Sequence, residues 1–444
     1  MGVIMQAFYW DCPREEGKEY QWWEEVKSRV PSLGAVGFTA LWLPPASKGA
    51  NLNGPSMGYD PYDYYDLGEF DQKGSVKTWF GSKEELLDLI GTAHEHSMEV
   101  YADVVFNHNS GADAQEVNGI DKVSRWTKFT PKSNRFARDW TCFHPSWYEM
   151  WDKMTFAGMP DLCHRNPYVY SELVEYARWL LEDIGFDGFR YDCVKGYGGW
   201  MVRSLQELRG LRSDTPLKPY GVGECWDSER TIDDWLDETN AWSDNQAGAF
   251  DFPLRERLKG MCDSYGFSLR SLADGGTLLR DRAGEAVTFV ENHDIVRDNP
   301  IINDKLLAYA VILTHEGYPC VFWKDYYGWD LGQEGNQSGI ATLVGVHERN
   351  AGGPSDVLHA DDDLYIMQRR GLPGQPGLIF VLNNRGDGWH GATVVTNRPS
   401  TRFVPAAWRG RDDVGIPAEK WTGADGSGDF WAPPRGYAVY VPQP

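Results

Sequence analysis

The residues best suited to chemistry in this chain lie in the stretch Gly185–Trp200, GFDGFRYDCVKGYGGW. Within it, Gly188–Asp192 reads as a short strand on which Arg190 and Asp192, two apart, share a face. A guanidinium beside a carboxylate keeps that carboxylate ionised, which a nucleophile needs. An arginine–aspartate pair at a strand end is by itself more often structural, so its meaning depends on the polar groups that join it.

Three other segments end in the same way. Asn107 and His108 follow the apolar run Val100–Phe106, Glu224 ends Tyr220–Glu224, and His293 and Asp294 follow Ala286–Val290. Three carboxylates on three strand ends, with no activated Ser or Cys, suit glycoside hydrolysis, in which one group attacks carbon and another protonates the leaving oxygen. Asp192 beside Arg190 fits the nucleophile. The acid must keep its proton near neutrality, which apolar neighbours favour, and Glu224 among Val222, Cys225 and Trp226 fits that requirement. Asp294 would hold sugar hydroxyls and help distort the ring, and His108 and His293 would donate hydrogen bonds to hydroxyls.

These groups converge only if the chain builds a scaffold with all strand ends on one face. Short apolar runs alternate with helical patterns along most of the sequence, the signature of parallel strands joined by crossover helices. Eight strands are expected: Val3–Tyr9, Phe38–Leu43, Val100–Phe106, Gly188–Asp192, Tyr220–Glu224, Gly248–Phe252, Ala286–Val290 and Tyr318–Phe322. Helices are expected near Tyr20–Leu33, up to Glu95 behind a Ser82/Glu85 capping box, and over Tyr168–Ile184 and Gly199–Leu211. Eight such units close most naturally into a (β/α)8 TIM barrel, whose reactive face is the C-terminal end of the strands. Residues 108–167 carry no crossover pattern and read as a small inserted domain after the third strand. From 351 to 444 the period changes to two, which predicts a C-terminal all-β sandwich. The barrel then comprises residues 1–107 and 168–350.

The bulk composition narrows the partners. With 43 basic against 65 acidic residues the net charge is −22, which argues against nucleic acid or an anionic membrane. The 20 Trp, 22 Tyr and 19 Phe suit sugar rings, whose apolar faces stack on aromatic side chains, though packing uses such residues too. Seven scattered cysteines give an odd total with no CxxC spacing, and Cys142 with Cys163 is the pair to test for a bridge. No apolar run is long enough to span a bilayer, and no leader precedes GVIMQAFYW, so the numbering is compatible with a mature terminus carrying an added Met.

DVVFNH (Asp103–His108), GFRYD (Gly188–Asp192), GECW (Gly223–Trp226) and FVENHD (Phe289–Asp294) resemble, in order and spacing, the four signature segments of the α-amylase family, glycoside hydrolase family thirteen. MPDL (Met159–Leu162) looks like the additional family segment near the end of the inserted domain, and the likeness extends over nearly the whole chain. Gly2–Trp10, Pro44–Gly49, Met57–Asp63 and Val194–Gly198 look most like archaeal α-amylases, with plant enzymes next.

The resemblance implies an endo-acting retaining α-amylase, with Asp192 as nucleophile, Glu224 as acid/base and Asp294 as transition-state stabiliser. A glucanotransferase, an α-glucosidase or an inactive glucan-binding barrel are the alternatives. Arg190, His108 and His293 would line the site of the attacked sugar, with Tyr59 as its stacking platform and Lys195 toward the leaving group, and Trp226 would also bind substrate. The family's calcium would take Asn107, Asp152 and Asp161, with carbonyls at Met154 and Gly196, all oxygen ligands as that ion prefers. His144, Glu149, Cys163 and His164 form a weaker candidate set for zinc. Starch, glycogen and malto-oligosaccharides are the expected partners of a secreted, monomeric enzyme.

Overall fold

The structure is a computed structural model that describes residues 2–52, 55–208, 210–212, 215–412 and 415–443. Eight short strands close into a barrel in sequential order: Ile4–Gln6, Ala40–Leu43, Glu99–Val104, Gly188–Tyr191, Tyr220–Gly223, Gly248–Phe250, Ala286–Phe289 and Tyr318–Phe322. All but Tyr220 and Glu99 on these strands are buried, as expected of a parallel sheet covered on both faces. The expected (β/α)8 architecture is therefore the observed one. Six of the eight strands stop one to three residues short of their expected ends, and Asp192 and Glu224 are among the residues left just beyond them.

The chain divides into two compact units. One holds Ala7–Gly34 and Thr39–Phe250, and with them the second to sixth barrel strands. Its helices start where local chemistry dictates. The Ser82 hydroxyl accepts the Glu85 N–H at 3.3 Å while the Glu85 carboxylate accepts the Ser82 N–H at 2.7 Å, the predicted capping box. Asn166 caps the helix Pro167–Trp179, whose proline occupies the first turn where no N–H is missed. That helix ends in a wider π turn over Leu180–Ile184, closed by Gly185 at φ 95°, a left-handed conformation in which glycine carries no steric penalty. The helix expected over Gly199–Leu211 ends at Gln206 instead. Gly210–Arg212 pairs with Thr215–Leu217 as a two-stranded ribbon, and Arg209 lies outside the described residues. Between the third and fourth barrel strands, residues 108–166 contribute a hairpin, Ala114–Val117 with Ser124–Lys128, a 3-10 turn over Trp140–Cys142, and otherwise largely irregular chain.

The other unit holds Met1–Gln6, Ala35–Phe38 and Asp251–Pro444. From Ser355 onward its regular elements are all strands: a six-stranded sheet and a two-stranded one, His390–Val395 with Ser427–Ala432. Alternate residues of both sheets, among them Leu364, Ile366, Ile379, Val381, Phe430 and Tyr440, form one apolar core, which the period of two predicts. All seven cysteines are buried free thiols. Cys142 and Cys163 meet only through backbone, the Cys163 N–H donating to the Cys142 carbonyl at 2.9 Å. Among the described residues no helix is long and apolar enough to cross a membrane.

Candidate active site

The register of the barrel explains the first cluster. Asp103 on the third strand pairs directly with Arg190 on the fourth, and Val222 on the fifth flanks Arg190 on the other side. Arg190 is fully buried. Its Nη1 donates to Asp103 Oδ1 at 2.9 Å and to Asp192 Oδ1 at 2.7 Å, and its Nη2 lies 3.0 Å from Glu224 Oε1. One guanidinium thus holds three carboxyl groups, two of them the expected nucleophile and acid.

Glu224 stands just past Gly223, where any Cβ would meet the Trp235 ring at 2.2 Å. Its Oε2 accepts the Cys193 N–H at 3.1 Å, and Cys193 itself adopts φ 49°. The acid is therefore surrounded by charge and hydrogen bonds more than by the apolar neighbours expected for it. Asp103, which sequence reasoning left unassigned, is the hub of the cluster. It also accepts Tyr59 Oη at 2.7 Å and Trp42 Nε1 at 3.0 Å. Burial pushes the Asp103 carboxyl above its usual range, against the pull of Arg190.

Tyr59, the expected sugar platform, is half-buried, stacked on Trp10 at 6.1 Å and 13°. His108 is fully buried, with Nε2 donating to the Tyr59 carbonyl at 3.0 Å and its ring stacked on Phe156 at 4.7 Å. Burial lowers its pKa to about 4, so it is neutral at pH 7. Lys195 Nζ donates to the Trp226 carbonyl at 2.7 Å and lies 3.2 Å from Asp227, which fixes the turn carrying the exposed Trp226 indole.

In the other unit, His293 and Asp294 follow the seventh strand by four and five residues. The Asn292 Oδ1 accepts the N–H groups of Asp294 at 3.0 Å and Ile295 at 2.8 Å, which shapes the turn. His293 is buried, with Nδ1 3.0 Å from Gln6 Nε2 and Nε2 3.3 Å from Asp294 Oδ2.

A second cluster lies in the inserted stretch. Ligand atoms of His144, Asp152 and Asp161 lie within 4.8 Å of one another. Asn107 Oδ1, Asp152 Oδ2 and both Asp161 carboxylate oxygens are buried without a hydrogen-bond partner. Burial, and next the charge of Asp152, push the Asp161 carboxyl well above its usual range. Gly196 faces Asn107 so closely that a Cβ would stand 1.7 Å from its Oδ1. Orphaned carboxylate and amide oxygens beside a glycine backbone fit a hard cation such as calcium. Met154 sits half-buried two residues past Asp152.

Of the zinc candidates, His144, Glu149 and Cys163 come within the same 4.8 Å, but His164 does not join them. His164 donates from Nε2 to the Phe106 carbonyl at 3.0 Å and stacks on Tyr197. Sequence reasoning missed Asp103, Trp10, Phe156 and the nearness of His144 to Asp152. Only Asp103 carried a signal, as an acid inside an otherwise apolar strand.

Comparison with known proteins bears on this geometry. Residues 16–359 match the family model for the alpha amylase catalytic domain. An alpha-amylase of Geobacillus stearothermophilus is 31% identical, the alignment covering 100% of this chain and 87% of that one. The cytoplasmic alpha-amylase of Escherichia coli (strain K12) is 29% identical over 87% of this chain and 89% of its own. The crystal structure of an alpha-amylase from Geobacillus thermoleovorans complexed with acarbose superposes with a TM-score of 0.71 at 19% identity, covering 100% and 98% of the two chains. The two sequence relatives are bacterial, so the expected nearness to archaeal and plant enzymes is not borne out.

Proposed function

The chain belongs to the alpha-amylase family, and from that premise we propose that it is an endo-acting α-amylase. It cuts internal α-1,4-glucosidic bonds of starch, glycogen and malto-oligosaccharides with retention of anomeric configuration. The observation that carries this reading is the single Arg190 fork gripping Asp192 at 2.7 Å and Glu224 at 3.0 Å. Two carboxyl groups side by side suit a double displacement, in which they stand about 5 Å apart.

In the first half, an Asp192 oxygen attacks the anomeric carbon as that carbon's bond to the glycosidic oxygen breaks, and Glu224 passes its proton to the glycosidic oxygen, which leaves as a hydroxyl of the departing glucan. In the second half, Glu224 takes a proton from water, whose oxygen displaces Asp192 from the sugar. One water is consumed and two inversions restore the starting configuration. Asp294 completes the set by holding hydroxyls of the distorted ring, with His293 beside it. Tyr59 supports the sugar, and Lys195 and Trp226 border the leaving-group side. His108 acts through Tyr59, since its Nε2 is committed to the Tyr59 carbonyl.

Calcium would be held by the side chains of Asn107, Asp152 and Asp161 and by carbonyls of Met154 and Gly196. When bound it would supply the positive charge that lets those oxygens be buried together. The stretch 108–167 serves as the inserted domain and 351–444 as the tail domain beside the barrel. The enzyme works as an exported monomer; activity in culture medium rather than lysate is the test of export.

The activity is tested on soluble starch by following reducing ends and product length. Long fragments appearing first are expected. Glucose alone, or disproportionated chains without net hydrolysis, would overturn the reading.

A further inference from the structure

Within the unit that ends the chain, a cavity of about 370 Å³ opens between the loop after the seventh barrel strand, the turn after the eighth, and the tail strand Arg402–Arg409. We infer that this cavity is a second α-glucan-binding pocket in which a sugar ring stacks on Trp329. The inference rests on the α-glucan specificity proposed above, and none of its residues belongs to the catalytic set.

The cavity has the size and make-up of a small-ligand site, at the lower end of the roughly 300–1,000 Å³ such sites occupy. Its apolar wall is Ile301, Ile302, Leu331 and the Trp329 indole, which is 42% exposed. The ammonium of Lys305 lies 3.9 Å from the indole centroid and is itself buried, 2.8 Å from Asp325 and 3.2 Å from Glu291. The Lys324 ammonium lies 5.2 Å from the same centroid, so two cations hold the indole in place while part of its surface stays exposed at the cavity. The isoleucine part of the wall is held equally firmly: the Ile301 N–H donates to Glu291 at 2.6 Å and the Ile302 N–H to Asp263 at 2.9 Å. The pocket is formed before a ligand arrives, which reduces the ordering cost of binding.

The polar groups identify the ligand class. Arg409 is half-buried at the cavity, and its guanidinium has no hydrogen-bond or ion-pair partner among the described residues. Asp304 presents one oxygen to Arg435 at 2.8 Å, which leaves the other for a ligand. A cavity lined by both signs of charge and by an exposed indole suits a neutral molecule that donates, accepts and offers an apolar face. A glucose unit does all three: its hydroxyls donate to Asp304 and accept from Arg409 while its ring lies on Trp329. Because the polymer is long, a second hold on it raises the effective concentration of bonds at the catalytic groups.

The test compares adsorption to insoluble starch granules in the cold with kcat/KM on a short chromogenic maltotrioside, for the full chain and for Trp329→Ala and Arg409→Gln. Trp329→Ala is expected to weaken adsorption about fivefold or more, and Arg409→Gln about twofold, with trioside turnover within about twofold of the parent. Unchanged adsorption in both folded variants overturns the inference. An equal loss on both substrates also overturns it, because the cavity would then be part of the cleavage groove. A parent protein that cleaves neither substrate defeats the catalytic reading alone, and adsorption still decides the pocket.

Discussion

Two clusters of buried acids stand in the same compact unit, and they are neutralised differently. At the strand ends, Asp103, Asp192 and Glu224 surround Arg190, a cation the chain provides itself. In the inserted stretch, Asp152 and Asp161 meet beside His144, whose Nε2 is 3.5 Å from Asp152 Oδ2, and three of their oxygens have no hydrogen-bond partner among the described residues. Burial opposes the charge on His144, but the two aspartates outweigh it and raise its pKa. The first arrangement gathers its carboxyl groups on an internal cation. The second would be compensated by a cation bound from outside. Under the function proposed above, the contrast is one between acids that would react and acids that would fasten.

Breaking the first cluster at its reacting members should have the largest effect. Asp192→Asn or Glu224→Gln is expected to lower kcat on starch by roughly 10⁴-fold with little change in melting temperature. Activity within tenfold of the parent in either variant would reject that residue's role. Removing the shared cation comes next. Arg190→Ala leaves three buried carboxyl groups uncompensated, which should cost on the order of 3–5 kcal/mol in denaturant unfolding. A loss below about 1 kcal/mol would show that the cluster does not depend on its internal cation.

The second cluster should respond to what is added rather than to what is built in. Saturating calcium at about 100 times Kd should stabilise the protein by about 2.7 kcal/mol, and a chelator should remove that gain. Asp161→Asn sharpens the comparison, because its effect should change sign. It should be less stable than the parent in calcium and more stable in chelator, since it relieves the repulsion with Asp152. Parallel melting curves under both conditions would count against a cation at this site.

A further expected effect concerns a buried histidine outside both clusters. His315 is buried, donating from Nδ1 to the Val311 carbonyl at 2.8 Å, and burial lowers its pKa to about 3. Its folded pKa lies below the unfolded value of about 6.5, so its contribution to stability is complete above pH 6.5 and is lost as pH falls toward 3. The loss per group is about 1.4 kcal/mol per pH unit in that window. Unfolding free energies measured from pH 7 to 4 should decline less steeply in His315→Gln, and identical slopes would refute the assignment.

The barrel was legible because its strands are continuous apolar runs punctuated by polar ends, and the tail because its period is two. Asp192 and Glu224 were legible for the same reason, each being the first polar group past such a run. What escaped was set by register and by loops. Asp103 looks like one more strand residue until its pairing with Arg190 is known. Phe156 and His144 lie on irregular chain, where spacing carries no information about neighbours. Gly210–Arg212 was misjudged because the local helical pattern continues past Gln206 while the chain turns into a ribbon.

The seven cysteines have a practical consequence. Every thiol is buried and unbridged, and burial pushes the Cys142 thiol up to about 11 and the Cys262 thiol to about 12. A thiol-specific reagent therefore meets no reactive sulfur in the native molecule, and each labelling event marks a moment when the surrounding structure has opened. Mapped residue by residue, the rates of modification would time the opening of separate parts of the molecule without any engineered probe.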